Sequence, residues 1–433
     1  MKIIIIGASF AGIYCSLQAR KLYPDAEILL IEKKELVGFL PNGMLLYLQG
    51  FYDTLEEATF ISSEMLKQKN ISVHLEETFI EALPNEKSVV TDKGNYTYDK
   101  LVLATGSSQH SKNIDLAEEE IYHYKTYSAA KKLLPKIEKA QNITIVGAGQ
   151  AGLEAASVFV ELGKKVNVFE TMDYPLFKYF DKDFLVPFLT DIQQIENLHL
   201  QLSQQISKVD KNDQFEVNFQ QQQLKSDLIL TTVNVHPTLV NLPVKRHRDL
   251  TVETNDYLET SIKDIFAVGD LIQVPLTITK EKMYLPQISN AVRTGLVAAE
   301  NLASPRKKFQ GSLRMIGTKL FHWYLASAGL LEAEAFLYPK KIGTKLLHLP
   351  AALVAGQSVD CKLIFEEESR RLLGVQLLSK VNCLETINRY GWAIEQQMTV
   401  EQLLEQDFFF HSQFSNRLSF TNEFILGSDT DEI

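Results

Sequence analysis

One pattern, used twice, constrains this chain more than any other feature: a β-branched run, a glycine turn, an apolar helix, a second strand and then an acid. The first copy begins KIIIIGASFAG, a strand over 3–6 followed by Gly7-x-x-x-x-Gly12 and a helix running to 22. Its second strand, EILLIE, ends in Glu32. The second copy, NITIVGAGQAGLEAASVFVELGKKVNVFE, is complete: strand 143–146, Gly147, Gly149, Gly152, an Ala-rich helix stopped at Gly163, strand 165–169 and Glu170. Each copy reads as a βαβ unit of a parallel sheet, whose crossover must be a helix packed on the sheet.

The chemistry of such a turn follows from its glycines. Gly147 makes the tight turn, Gly149 lets backbone N–H groups approach a pyrophosphate, and Gly152 permits close helix packing, with the helix N-terminus favouring negative charge. The acid after the second strand is placed to bind a ribose hydroxyl pair. In the first copy the middle glycine is Ser9, so Gly7, Ser9 and Gly12 form a degenerate fingerprint. A third apolar strand, in DIFAVGDLIQVP, delivers Gly269 and Asp270 at its C-terminal end, where ligands of open α/β sheets bind.

Composition narrows the partners. The 433 residues suit two or three domains. A net charge of −10 without a Lys/Arg cluster argues against nucleic acid and anionic membrane. No apolar run reaches the roughly 18–20 residues of a membrane span, and the apolar start reads as a strand and turn and not as a leader. The three cysteines, Cys15, Cys361 and Cys383, show neither disulfide nor metal spacing, which fits a cytoplasmic protein.

With KLVLATG between the two fingerprints and DIFAVGD after them, the order resembles that of the FAD-dependent pyridine nucleotide-disulfide oxidoreductases. YPDAEILLIEKKE, GFLPNGMLLYLQG and GVQLLSK extend the resemblance, over essentially the whole chain, to the branch containing NADH peroxidase, NADH oxidase and coenzyme A-disulfide reductase. The resemblance implies an α/β fold of two Rossmann-like three-layer domains, for FAD and NAD, plus a C-terminal α+β dimerisation domain. The expected boundaries are 1–110 and 246–310 for a split FAD domain, 111–245 for the NAD domain and 311–433 for dimerisation. It implies FAD held through Gly7, Ser9, Gly12, Glu32, Lys33, Ile80, Thr105, Gly106, Gly269 and Asp270, with a helix starting near Pro286 aimed at the flavin's pyrimidine edge. It implies NADH held through Gly147, Gly149, Gly152 and Glu170, with Tyr179 against the adenine, Glu154 near the nicotinamide, and a homodimer.

The chain departs from that branch where chemistry should occur. Asn42-Gly43 stands where the branch carries its redox-active Cys-Gly, Phe10 where the peroxidase has a histidine, Gln150 where a tyrosine gates the flavin, and Asn234 where the family has a glycine. An amide cannot serve as a sulfenate or mixed-disulfide partner, so sulfur-based reduction is excluded at Asn42. Two compatible readings of Asn42 stand: a turn residue tolerating left-handed geometry, or an amide that hydrogen-bonds the flavin or an oxygen species. Phe10 is expected to pack on flavin or nucleotide. Glu154 is either a solvated helix residue or a nicotinamide contact. His411, after the aromatic run 408–410, reads as a surface histidine beside packed rings.

Hydride transfer needs stacking and a preorganised site, and no cysteine. The expectation is therefore an FAD-dependent NADH oxidoreductase passing electrons directly to oxygen, a quinone or another small acceptor. Two alternatives stay open: a reductase for a small protein electron carrier, and a degenerate FAD-binding sensor or partner protein with weak NADH binding. Glu170 also sets a donor preference, because its carboxylate repels a 2′-phosphate. Stopped-flow bleaching of the flavin should be faster with NADH than with an equal concentration of NADPH; the reverse order would remove the role given to Glu170.

Overall fold

The computed structural model describes residues 1–109, 121–233, 235–238, 241–350 and 358–407. Asn234, the aromatic run 408–410 and His411 lie outside the described residues. In chain order the elements that matter here begin with β1 (Lys2–Ile6), α1 (Phe10–Leu22), β2 (Glu27–Ile31), α2 (Gly43–Leu48), β3 (Ser72–His74) and β4 (Lys100–Leu103). Next come β5 (Asn142–Val146), α3 (Gln150–Glu161), β6 (Lys165–Phe169), β7 (Leu198–Gln201), β8 (Ile265–Ala267) and α4 (Ile288–Asn301). Last are β9 (Ile316–Leu320), β10 (Trp323–Gly329), β11 (Ile342–Pro350), β12 (Ser358–Glu366), β13 (Leu372–Ser379) and α5 (Thr386–Glu395).

The chain divides into two compact units, the first holding Met1–Gln141, Ser207–Pro275 and Lys282–Gly311, the second Asn142–Ile206, Leu276–Glu281 and Ser312–Ile433. In the first, five strands form a sheet in the order β8-β4-β1-β2-β3, every pairing parallel. Ile3, Ile4, Ile5 and Ile6 are all buried, as a central strand covered on both faces demands. In the second, β5, β6 and β7 pair in parallel. The same unit contains an antiparallel sheet ordered β9-β10-β13-β12-β11. Every residue of β13 is buried, and Ile387, Tyr390, Ala393 and Ile394 of α5 share a core with Cys361, Leu363 and Val375. Rossmann-like parallel sheets and a C-terminal α+β sheet are thus the fold.

Within the first unit, α1 and α4 meet at small residues. A Cβ at Gly295 would lie 2.3 Å from the carbonyl oxygen of Ala11 and 3.2 Å from the nitrogen of Cys15. Both obstacles are backbone, so the helices must separate to admit it. This contact fixes Gly269 as well, since its N–H donates to Thr294 Oγ1 of α4 at 3.0 Å. Gly295→Ala should therefore cost about 1–3 kcal/mol of stability, the usual penalty of overpacking, read as a lower denaturant midpoint; an unchanged midpoint would show that the helices part freely.

Candidate functional site

Both glycine turns are built alike. Gly7 has φ +108° and Gly147 φ +106°, a backbone that side chains rarely adopt. The Gly7 N–H donates to Ile31 O and the Gly147 N–H to Phe169 O, each at 2.8 Å. The next N–H in each turn reaches the acid: Ala8 donates to Glu32 Oε2 at 2.7 Å and Ala148 to Glu170 Oε2 at 3.0 Å. Each second oxygen is also fixed by backbone, Glu32 Oε1 by Lys34 N–H at 3.1 Å and Glu170 Oε1 by Met172 N–H at 3.0 Å. Both acids are buried. They remain able to accept from a ribose, because each carboxylate oxygen has two lone pairs.

At the first turn, Gly12 lies so close to Gly7 that an added Cβ would stand 1.9 Å from its carbonyl oxygen. Ser9 is exposed at the N-cap of α1 and its hydroxyl makes no capping bond. Lys33 is exposed beside Glu32. Ile80 sits on a separate antiparallel strand, Phe79–Leu83, with an exposed side chain. The N–H of Glu77, shortly before it, donates to Glu32 O at 3.1 Å. Phe10 has a protein partner, stacking on Phe60 with centroids 4.3 Å apart and planes 17° from parallel.

The same unit gathers polar atoms of a kind that fits a cofactor. The Thr105 hydroxyl, the Tyr284 hydroxyl and Asn290 Oδ1 are buried without a protein hydrogen-bond partner, and Gly106, at φ +68°, borders open space. Burial and the charge of Asp270 push the Tyr284 phenol up. Asp270, one residue after Gly269, accepts from Ser107 Oγ at 2.7 Å and from Lys125 Nζ at 2.9 Å. Such orphaned donors and acceptors call for a polar ligand. Lys125, Ser107 and Tyr284 were not singled out from the sequence; Lys125 and Ser107 meet Asp270 from remote positions in the chain, and no motif marks any of the three.

Asn42 is half-buried at the N-cap of α2 with φ −100° and ψ 12°. The left-handed geometry expected of Asn-Gly is not used. Instead Asn42 O accepts from the N–H groups of Leu45 and Leu46 at 3.0 and 3.1 Å, and Gly43 answers crowding, since a Cβ there would come 2.8 Å from Ala58 Cβ.

At the second turn, Gly149 borders open space and Gly152 is buried. Leu176 N–H donates to Ala148 O at 3.0 Å, which brings its segment to the turn, and Tyr179 N–H closes back on Leu176 O at 2.8 Å. Glu154 is half-buried, with its carboxylate engaged by the chain. Its Oε1 accepts from Gln150 Nε2 at 2.9 Å and from Thr318 Oγ1 of β9 at 2.7 Å, and burial, outweighing these bonds, holds its carboxyl above the usual range. Thr318 was missed because nothing in the sequence links it to α3.

All three cysteines are free and buried. Burial pushes the thiols of Cys15 and Cys361 up to about 12 and that of Cys383 up to about 11. None offers a thiolate at neutral pH, the form that cysteine redox chemistry requires.

The family model described as pyridine nucleotide-disulphide oxidoreductase matches residues 1–295, and that family's dimerisation-domain model matches 315–419. The chain is similar to an NADH oxidase of Enterococcus faecalis, 28% identical with 98% of each chain covered, and to a CoA-dependent NAD(P)H sulfur oxidoreductase of Pyrococcus abyssi, 25% identical with 86% of each covered. Among solved structures it is similar to a pyridine nucleotide-disulfide family oxidoreductase from Enterococcus faecalis, with a TM-score of 0.87, 33% identity and 99% and 100% of the two chains covered. A water-forming NADH oxidase from Lactobacillus brevis bound to NADH gives a TM-score of 0.89 at 25% identity, covering 98% and 96%.

The state of Glu154 has a measurable consequence. A carboxyl raised in the folded state stabilises the protein fully below its unfolded pKa, and that contribution is lost as pH rises through the folded value. Glu154→Gln, which never ionises, should therefore melt at a higher temperature than the parent at about pH 8, and the gap should close as pH falls towards the ordinary glutamate pKa of about 4.3. A gap independent of pH would mean that burial of the charge carries no cost.

Proposed function

Because the chain belongs to the pyridine nucleotide-disulphide oxidoreductase family, whose members bind FAD and a pyridine nucleotide, we propose that this NAD(P)H oxidoreductase delivers electrons from NADH directly to oxygen or another small acceptor, with no cysteine intermediate. The observation that carries this reading is the state of sulfur in the chain: an amide at position 42 and three buried thiols held far above neutral pH. Homologues named NADH oxidase, matched over nearly their whole length, support NADH as donor and oxygen as acceptor.

Gly7, Ser9 and Gly12 shape the turn that receives the FAD pyrophosphate at the N-terminus of α1, while Glu32 accepts from the adenosine ribose, beside Lys33 and Ile80. Thr105, Gly106, Gly269 and Asp270 line the remainder, with Asp270 held by Ser107 and Lys125 so that its carboxylate stays ordered while accepting a ribityl hydroxyl. The N-terminus of α4, after Pro286, favours negative charge at the pyrimidine edge. FAD, when bound, accepts a hydride and passes on an electron pair. Gly147, Gly149 and Gly152 receive the NADH pyrophosphate, Glu170 its ribose and Tyr179 its adenine, and Glu154 meets the nicotinamide. The dimerisation-domain match supports a homodimer. No helix among the described residues is long and apolar enough to cross a membrane.

The route without sulfur fixes the product. With no thiol to carry an oxygen atom to a second reduction, NADH, a proton and oxygen yield NAD+ and hydrogen peroxide, about one peroxide per NADH when one electron pair is donated at a time. NADH loss, oxygen uptake and peroxide, measured together with and without catalase, test this. Oxygen uptake at half the NADH consumed with no peroxide, the behaviour named for the Lactobacillus brevis relative, would overturn the cysteine-free route.

A further inference from the structure

Gln150 is the first residue of α3, at the helix N-terminus that a dinucleotide turn offers to pyrophosphate. Its side chain neither caps the helix nor reaches into water alone: its amide nitrogen donates to Glu154 Oε1 at 2.9 Å. That oxygen is fixed from the other side by Thr318 Oγ1 at 2.7 Å. One turn further along the same helix face, Ser157 Oγ accepts from Phe321 N–H at 2.7 Å. The face is thus pinned to β9 and its following turn, and Glu154 cannot readily swing away.

The chemistry of the two ends of this bond is specific. Glutamine ends in a primary carboxamide, and nicotinamide carries a primary carboxamide on its ring. A carboxylate can accept an N–H from either carboxamide, and here the one within the chain already supplies it. Glu170 lies at the C-terminal end of β6, the place of a ribose-binding acid, and the placing of Glu154 at the nicotinamide is the reading proposed above.

We propose that Gln150 is an internal stand-in for the nicotinamide carboxamide: it occupies Glu154 in the free protein and must be displaced before the nicotinamide seats. Gln150 is then a specificity-determining residue that weakens NAD(H) at its nicotinamide end and leaves the ADP-ribose end untouched. Thr318 is a positioning residue that keeps Glu154 aimed at either carboxamide. This rests on the reading of α3 as the pyridine-nucleotide helix given above.

ADP-ribose and NAD+ differ by the nicotinamide, so their affinities for the FAD-loaded full chain, measured by calorimetry, isolate it. Gln150→Ala and Gln150→Met both remove the carboxamide, and methionine keeps the volume. Both variants should bind NAD+ about tenfold more tightly than the parent, the range of one hydrogen bond to a charged group, with ADP-ribose affinity unchanged. A gain in alanine alone would mean that volume and not the amide obstructs the site, and would overturn the proposal. No gain in either variant, with ADP-ribose still bound, would overturn it while leaving the nucleotide reading intact. Failure of the parent to bind ADP-ribose would remove that reading, and the proposal with it.

Discussion

Everything at either glycine turn depends on one short contact: an alanine N–H held against a buried carboxylate, Ala8 to Glu32 and Ala148 to Glu170. An unpaired buried carboxylate is costly, so each acid is useful only because the turn beside it supplies N–H groups. The turn in turn needs glycine at positive φ to present them. The strand ends, the turn and the acid are therefore one structural unit, and the acid is oriented by the chain itself. Such preorganisation lowers the ordering cost of binding.

Much of this was legible in the sequence because it is local. Strand, glycine spacing, helix and acid lie within a single βαβ unit, and β-branched runs such as Ile3–Ile6 bury on both faces wherever they sit in a parallel sheet. What escaped were partners from distant segments. Lys125 reaches Asp270 across 145 positions and Thr318 reaches Glu154 across 164, and no periodicity carries such information. Glu154 shows the cost of local reasoning: its place on a helix suits a solvated residue, until β9 covers it.

The Asn-Gly pair misled for a related reason. The dipeptide permits a left-handed turn, and the chain uses it to start a helix, because Phe39 and Ala58 crowd Gly43 and Asn42 supplies the carbonyl that accepts the first helical N–H. Propensity states what a backbone tolerates; packing chooses among the tolerated forms.

The same distinction bears on chemistry. A catalytic thiol must be lowered to a thiolate by charge or hydrogen bonds and must be accessible; Cys15, Cys361 and Cys383 meet the opposite conditions, since all three are buried and burial raises them. Moving the redox role to any of them would require uncovering a core, as Cys361 and Cys383 share one cluster with β13 and α5. Glycine turns, clamped acids and orphaned polar atoms make no such demand of sulfur. The chain keeps these features and carries an amide at position 42, so among its described residues the groups that could accept from a bound dinucleotide are oxygen and nitrogen atoms and not thiolates.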